Sequence, residues 1–500
     1  MDNPTEMICF CVGVLTLLLF VQRRFDPSQK IPAIGPSAPL LSYIGAYRYF
    51  RHAQDMLQKG YTKYRGSVFR VPLLDQWVVV VSGAKMNEEL WRIPDDKMSF
   101  LAAAQDFIQT KYTIAPLLDQ LPIHVKVMRE QLTRNLGVLL PGVLDEIHAA
   151  FNEIIPTLGN EWVSISGLPV MTHIIARVSN RAFVGLPICR DSDYLDVAMK
   201  FPMDVMKGKS ILSIVPKSLK AVVGPCLPWS RRALRCFSAH LKPVIAERQR
   251  LLQELGEDWT DKPIDMLMWL IEEAPSMEQS VDLIVQSILS SNFASTHTSS
   301  ISLTHALYHL AGSPEYMHPL REEIENVLKV KGWTKDALSN MWRLDSFLRE
   351  SQRLNGVSGM SVMRKALKDV TLSDGTYIPT GTMVYAAATA THRDPDNYDN
   401  PDMFDPFRFS DAKESENDRI KQQYVSTSPD YIPFGHGKHA CPGRFFASHE
   451  LKAILAHIVL NYDLQFEGGG GRPENLWLGT GILPAPNAKI MFRNRQTSDA

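Results

Sequence analysis

The stretch FGHGKHACPGRFFASHELKA at positions 434–453 leaves this chain few ways to be something else. Cys441 stands between Gly437 and Gly443 in a basic, glycine-rich loop, just ahead of a helix-like run. A sulfur at that junction lies near a helix N-terminus, where the peptide dipoles favour an anion. Lys438, His439 and Arg444 add positive charge around it. Glycine lets such a loop bring its amides close to the sulfur or to a large planar ligand. One thiolate with no second soft ligand in register suits haem iron. The pattern Phe-x-x-Gly-x-basic-x-Cys-x-Gly, from Phe434 to Gly443, is highly specific.

Two blander readings compete. Most lone cysteines are buried small hydrophobes, though few of those sit in a basic glycine loop. A zinc reading takes His436, His439 and Cys441, but a structural site wants a fourth ligand. No further Cys/His pair follows at finger-like spacing.

With 500 residues, 45% hydrophobic and 21% charged, the chain reads as globular and able to bury a large core. A net charge of −1 gives no electrostatic case for binding nucleic acid. The six cysteines (Cys9, Cys11, Cys189, Cys226, Cys236, Cys441) are few and irregularly spaced. That excludes a disulfide scaffold and indicates a reducing compartment.

Residues 7–21 carry no charge and are followed by Arg23 and Arg24, whereas Asp2 and Glu6 precede them. As a helix this run spans about 22 Å, short of the roughly 30 Å hydrocarbon core. A cleavable signal would carry its basic residues first. The reversed order predicts an uncleaved single-pass anchor in a thin membrane such as the endoplasmic reticulum, with the rest of the chain cytosolic. Pro27, Pro32, Pro36 and Pro39 exclude a helix interior next. The organisation is therefore an anchor at 1–24, a proline-rich hinge at 25–40 and a body at 41–500.

Strand signals occur at 68–71, 77–82, 371–372, 377–378 and 383–386, with turns at Asp374-Gly375 and Pro379-Thr380-Gly381. From about Ala84 to Asn355 the periodicity is mostly helical. Residues 411–419 read as a solvated charged loop, and 468–471 as a turn. The expected fold is mainly α with a minor β region.

Residues 277–311 contain neither Gly nor Pro, so one helix of about 50 Å is plausible. Its middle, Ser290 to Ser300, is crowded with hydroxyls that compete for backbone carbonyls. Such a conflict marks a functional site, because a hydroxyl bonded to the i−4 carbonyl bends the helix and opens a polar notch. Glu350 and Arg353 share one helical face, and Arg408 lies among Phe404, Phe407 and Phe409. A buried Glu with two arginines is costly unless fully hydrogen-bonded, so it serves to hold geometry.

Together these pieces resemble the cytochrome P450 family of haem-thiolate monooxygenases. The carriers are ASTHTS in the long helix, ESQR, FDPFRF and FGHGKHACPG. The resemblance implies the family's fold, behind one N-terminal transmembrane helix. It implies haem b (iron protoporphyrin IX) with Cys441 as iron ligand, held in a loop that includes Phe434, Gly437 and Gly443. Thr298 is then the hydroxyl that serves proton delivery to dioxygen, and Glu350, Arg353 and Arg408 are a structural triad. Arg364 matches a haem-propionate arginine, and His439 replaces the arginine that usually serves the other propionate. Ser295 stands where the family has glycine and His297 where it has an acid, which raises the question of the proton relay. The family's Trp-x-x-x-Arg signature is not evident, and His124 and Arg129 are its nearest substitutes. A histidine before the threonine, with GKHACPGRFFA, looks like fungal secondary-metabolism members, including those resembling ent-kaurene oxidase and indole-diterpene oxygenases.

The implied reaction inserts oxygen from O2 into a C–H bond of a lipophilic small molecule of terpenoid type. No Gly-rich nucleotide fingerprint occurs on the chain. A separate NADPH-dependent flavoprotein reductase is therefore the expected partner, docking near Lys438, Arg444 and Lys452, with Lys126 and Arg134 adding charge. Ile288, Leu289, Asn292, Phe293 and Ala294, with residues 357–360 and 478–483, are the expected pocket lining. The alternative is a haem-thiolate isomerase that rearranges an oxygenated substrate without a reductase. A sensor without turnover is a third possibility.

Overall fold

The computed structural model describes residues 10, 12–14, 16–18, 20–21, 24–114, 117–119, 121–157, 159–216, 219–274, 280–411 and 416–496. Positions 1–9, 11, 15, 19, 22 and 23 of the expected anchor lie outside them. No helix among the described residues is long and apolar enough to cross a membrane.

The hydroxyl-rich segment does form one continuous helix, Ser280–Gly312, and it is the axis of the molecule. Its expected beginning at 277 lies outside the described residues. Gly167–Phe183, Ser192–Ile214, Pro228–Leu255, Trp342–Leu354 and Arg444–Asn461 pack around it. Leu303, Leu307 and Leu310 are fully buried against these neighbours. Truncating any one of them to alanine removes packed atoms worth about 2–5 kcal/mol.

The largest sheet of the minor β region has five strands, in the order Val68–Pro72, Trp77–Val81, Met383–Ala386, Ser361–Ala366, Met98–Ser99. The first two strands pair antiparallel with Val68 opposite Val81. Trp77–Val81 then runs parallel to Met383–Ala386, and both of these inner strands are buried along their whole length. That is why the second reads as an unbroken valine run. Val163–Ser166, Lys489–Asn494 and Tyr462–Phe466 form a three-stranded sheet. Val370–Thr371 pairs with Tyr377–Ile378, and Leu476–Leu478 with Gly481–Leu483.

Two expectations change. The proline-rich segment is docked on the body: the Ile34 amide donates to the Arg70 carbonyl at 3.0 Å, and the Arg70 amide to the Pro32 carbonyl at 2.8 Å. Ile31 and Ile34 are buried there. A run of prolines disfavours a helix interior but is compatible with an extended strap on a sheet edge. The charged loop at 411–419 contains the start of a short helix, Glu416–Lys421.

Candidate functional site

The cysteine loop is shaped by two left-handed glycines, Gly435 at φ +71 and Gly437 at φ +69. A side chain at 437 would meet the Trp91 ring, with Cε3 only 2.4 Å from the added Cβ. The loop is closed by the Cys441 amide donating to the Phe434 carbonyl at 2.8 Å. The helix Arg444–Asn461 starts immediately after Gly443, as its composition predicts. Arg444 donates to the Cys441 carbonyl at 3.0 Å. Burial pushes the Cys441 thiol up, and the Gly443 amide, the Arg444 guanidinium and the Arg444 amide oppose this without cancelling it. The dipole alone does not make a thiolate here; a bound metal cation does.

Above the loop, the long helix turns an open stripe inward. Ala294 and Thr298 are exposed, with half-buried Ser290 one turn before and Ser302 one turn after, although this helix is the axis of the fold. The Thr298 hydroxyl donates to the Ala294 carbonyl at 2.6 Å, which is the expected i−4 bond. Tyr424 joins the two elements: it shares a hydrogen bond with Ser302 and feels the charge of Cys441. It also meets the Phe434 ring edge-on at 5.2 Å.

Arg364 is 1% exposed, yet its Nε and Nη2 have no partner among the described residues. Its remaining nitrogen, Nη1, donates to the Met363 carbonyl at 2.8 Å. The strand slips register between Ser361 and Arg364, and Val362 takes φ +51, an outlier for a β-branched residue. Bulges of this kind re-aim a side chain beside a site. Burial lowers the Arg364 pKa to about 10, against the pull of Asp95. Phe100 lies under its guanidinium at 5.9 Å and stacks on His439 at 5.2 Å.

These features fit haem. Gly443 faces open space with nothing within 4 Å of an added Cβ. Arg364 offers two buried unpaired donors to an anion. Cys441 is half-buried by area although protein surrounds it closely, as expected for a side chain that borders an internal space.

Behind the loop, Arg353 grips Glu350 with Nε and Nη2, both at 2.7 Å, and Arg408 Nε reaches Glu350 at 3.1 Å. Arg353 Nη1 also donates to the carbonyls of His392 and Pro401, each at 2.6 Å. Glu350 takes a further bond from the Asp405 amide at 3.1 Å. The triad is assembled as expected.

Other expected site residues sit differently. His297 Nε2 meets the Met199 carbonyl at 2.8 Å, on the neighbouring helix Ser192–Ile214 and away from the open stripe. One residue turns a helix by about 100°, so His297 and Thr298 cannot share a face. His439 Nε2 is engaged by Asp95 at 2.7 Å, which takes that nitrogen from any propionate. Arg129 is exposed and reaches only the Lys438 carbonyl at 3.4 Å. His124 contacts Ser290 at 3.5 Å, and its Nδ1 has no partner among the described residues; burial lowers its pKa to about 4. The Ser295 hydroxyl is likewise buried without a partner among them.

Among the expected lining residues, Ile288 and Leu289 belong to the core, and Asn292 is tied to Asn180 at 2.7 Å. Ala294 stays on the open side. Residues 357–360 and 478–483 do come together, through the Gly359 amide on the Thr480 carbonyl at 2.7 Å and the Ile482 amide on the Val357 carbonyl at 3.2 Å. Lys452 is buried and paired with Asp345, so it leaves the docking face. Trp91, Asp95, Phe100 and Tyr424 were missed by sequence reasoning. Each is an ordinary residue in its own segment, and the first three lie over 250 positions from their partners in the strand or the loop.

The profile of the family described as "Cytochrome P450" matches residues 32–492. The chain is 58% identical over 98% of its length to "Cytochrome P450 monooxygenase 103" of Postia placenta, covering 98% of that protein. It is 34% identical over 97% of its length to "Cytochrome P450 monooxygenase paxP" of Penicillium paxilli, covering 94% of it. Among solved structures, "Retinoic acid bound cyanobacterial CYP120A1" superposes with a TM-score of 0.68 at 21% identity, covering 93% of this chain and 99% of the other. That likeness establishes the fold.

Proposed function

This chain belongs to the cytochrome P450 family, whose members bind haem b, and from that premise we propose that it oxidises a lipophilic, terpenoid-type secondary metabolite at a C–H bond. It is a cytochrome P450 monooxygenase, an oxidoreductase. When bound, haem supplies the activation of dioxygen, and a cysteine thiolate on the iron favours O–O cleavage. Everything else falls to the protein.

Cys441 would be the iron ligand, held by the Phe434 carbonyl and the two left-handed glycines of its loop. Arg364 would take one propionate with the two nitrogens that have no partner among the described residues. His124 has an unpaired nitrogen for the other, a role His439 gives up to Asp95. Thr298 holds its proton on the Ala294 carbonyl and keeps its lone pairs free, so its Oγ can accept one proton as it passes on another. Glu350, Arg353 and Arg408 keep the backbone behind the loop from shifting. The observation that carries this reading is the pairing of a deep cysteine with an open threonine stripe, bridged by Tyr424.

The electron donor is a separate NADPH-dependent flavoprotein reductase. Arg129, Lys438, Arg444 and Phe445 border one cleft on the cysteine side; Lys438 is paired with Asp95 at 2.9 Å, and the positive rim that Arg129 and Arg444 supply suits an acidic partner. Localisation at the endoplasmic reticulum follows from residues 7–21 and the arginines after them. The terpenoid class is supported by the likeness of the cysteine and threonine motifs to fungal oxygenases.

The test is expression with a reductase in a host supplied with terpenoid scaffolds, with products read by mass. Wild-type protein should show the thiolate-type reduced carbon-monoxide spectrum and form a hydroxylated product. Cys441→Ser should lose both. Unchanged pigment and product in that variant would refute the assignment.

A further inference from the structure

Lys209 lies on the inward face of Ser192–Ile214, one turn after buried Val205 and one before buried Leu212. Its ammonium stands 3.9 Å from the centre of the Phe107 ring. Phe107 belongs to Phe100–Ile108, and the two helices pack on each other. The same short helix begins at Phe100, which touches both Arg364 and His439. Phe107 is about 10 Å further along the axis. Ser192–Ile214 also covers the long helix, through Phe201 on Phe293 at 6.4 Å. Lys209 therefore stands where two helices that flank the cysteine site converge.

Among the described residues no ion pair or hydrogen bond includes this ammonium. Asp106 is taken by Lys365, and Asp75 is the carboxylate whose charge acts on Lys209. The side chain is half-buried, on a helix face whose neighbouring turns at Val205 and Leu212 are buried. Burial lowers its pKa, against the pull of Asp75. An uncompensated charge in such a place is costly, and one ring face repays only part of that cost. What is missing is an anion within reach of three N–H donors. Lysine recognises such an anion as a point charge, and a single carboxylate suffices.

We propose that Lys209 anchors the carboxylate of a lipophilic acid whose far end extends towards Cys441. The inference deepens the proposed oxygenase function and rests on it. The substrate class is then hydrophobic carboxylic acids. The reaction that supplies this substrate must leave a carboxyl group remote from the carbon oxidised here.

The test uses the full chain loaded with haem, titrated with palmitic acid, methyl palmitate, abietic acid and methyl abietate, and read by the shift of the haem absorbance. Wild type should bind at least one acid about tenfold to a hundredfold more tightly than its ester. Lys209→Met should erase that preference while leaving ester affinity unchanged, and Lys209→Arg should keep it. Lys209→Met should also melt no lower than wild type, because it removes an unpaired charge. Equal binding of acid and ester, no binding of either pair, or a preference that survives Lys209→Met would each overturn the proposal. So would a fall in melting temperature, which would assign Lys209 to packing on Phe107. The reduced carbon-monoxide spectrum, recorded on the same samples, reports separately on the haem-thiolate reading.

Discussion

The protein treats buried polarity in two opposite ways on the two sides of its cysteine loop. Behind the loop, Arg353 spends its donors on Glu350 and on backbone carbonyls, and Arg408 and the Asp405 amide complete the carboxylate. Towards the interior space, Arg364 has two orphaned nitrogens, Ser295 an orphaned hydroxyl and His124 an orphaned nitrogen. Both regions are dry enough for an unmet hydrogen bond to be expensive. A satisfied cluster is therefore complete as folded protein, whereas an unsatisfied one is complete only with a ligand.

Three substitutions test that contrast. Glu350→Ala would leave the buried Arg353 guanidinium, and the half-buried one of Arg408, without their carboxylate. It should cost about 3–5 kcal/mol of stability and abolish haem retention, measured by denaturant unfolding and haem stoichiometry. A stable holoprotein would remove the brace from the account.

Glu450 probes the space between the two regimes. It is 1% exposed, takes a bond from Ser179 at 2.6 Å and has no cation. Burial raises its pKa to about 8, with Ser179 and Ser299 pulling the other way. The unfolded carboxyl titrates near ~4.3, so from there to about 8 the folded state holds more protons. Stability contributed by this site must then fall as pH rises through that window. Glu450→Gln should flatten the slope and raise stability at neutral pH by an amount on the order of a few kcal/mol. A pH profile parallel to wild type would refute the raised pKa.

Arg364→Met should have the smallest effect, and only when ligand is present. The apoprotein should unfold at the same denaturant concentration or higher, because an unpaired charge is removed. Haem affinity should fall by roughly 1.5–3 kcal/mol, read from haem transfer to a competing acceptor. Equal losses in apoprotein and holoprotein would make Arg364 a structural residue like Arg353.

Legibility in the sequence followed the same divide. The loop from Phe434 to Gly443, the long helix and the triad were readable because each is short-range or chemically costly, and costly patterns are rarely accidental. The valine run at 77–81 and the short strand at 383–386 were readable for the same local reason. His297 and His439 were misplaced because a motif position does not say which way a ring points. His297 turns to Met199 and His439 to Asp95, partners separated from them by 98 and 344 positions. Lys452 looked like surface charge because its partner Asp345 lies far away in the chain. The proline segment looked like a spacer because backbone pairing with Arg70 leaves no trace in side-chain composition.

The sequence by itself determined the cofactor chemistry, since a lone cysteine among glycines and cations, a hydroxyl-rich helix and a Glu-x-x-Arg pair each have a local physical cause. Only the tertiary structure decided which donors stay unpaired. That property belongs to the space between elements: Arg364 and Lys209 are ordinary cations in their own segments. They stand apart because of how the elements pack around them, which leaves neither in an ion pair among the described residues.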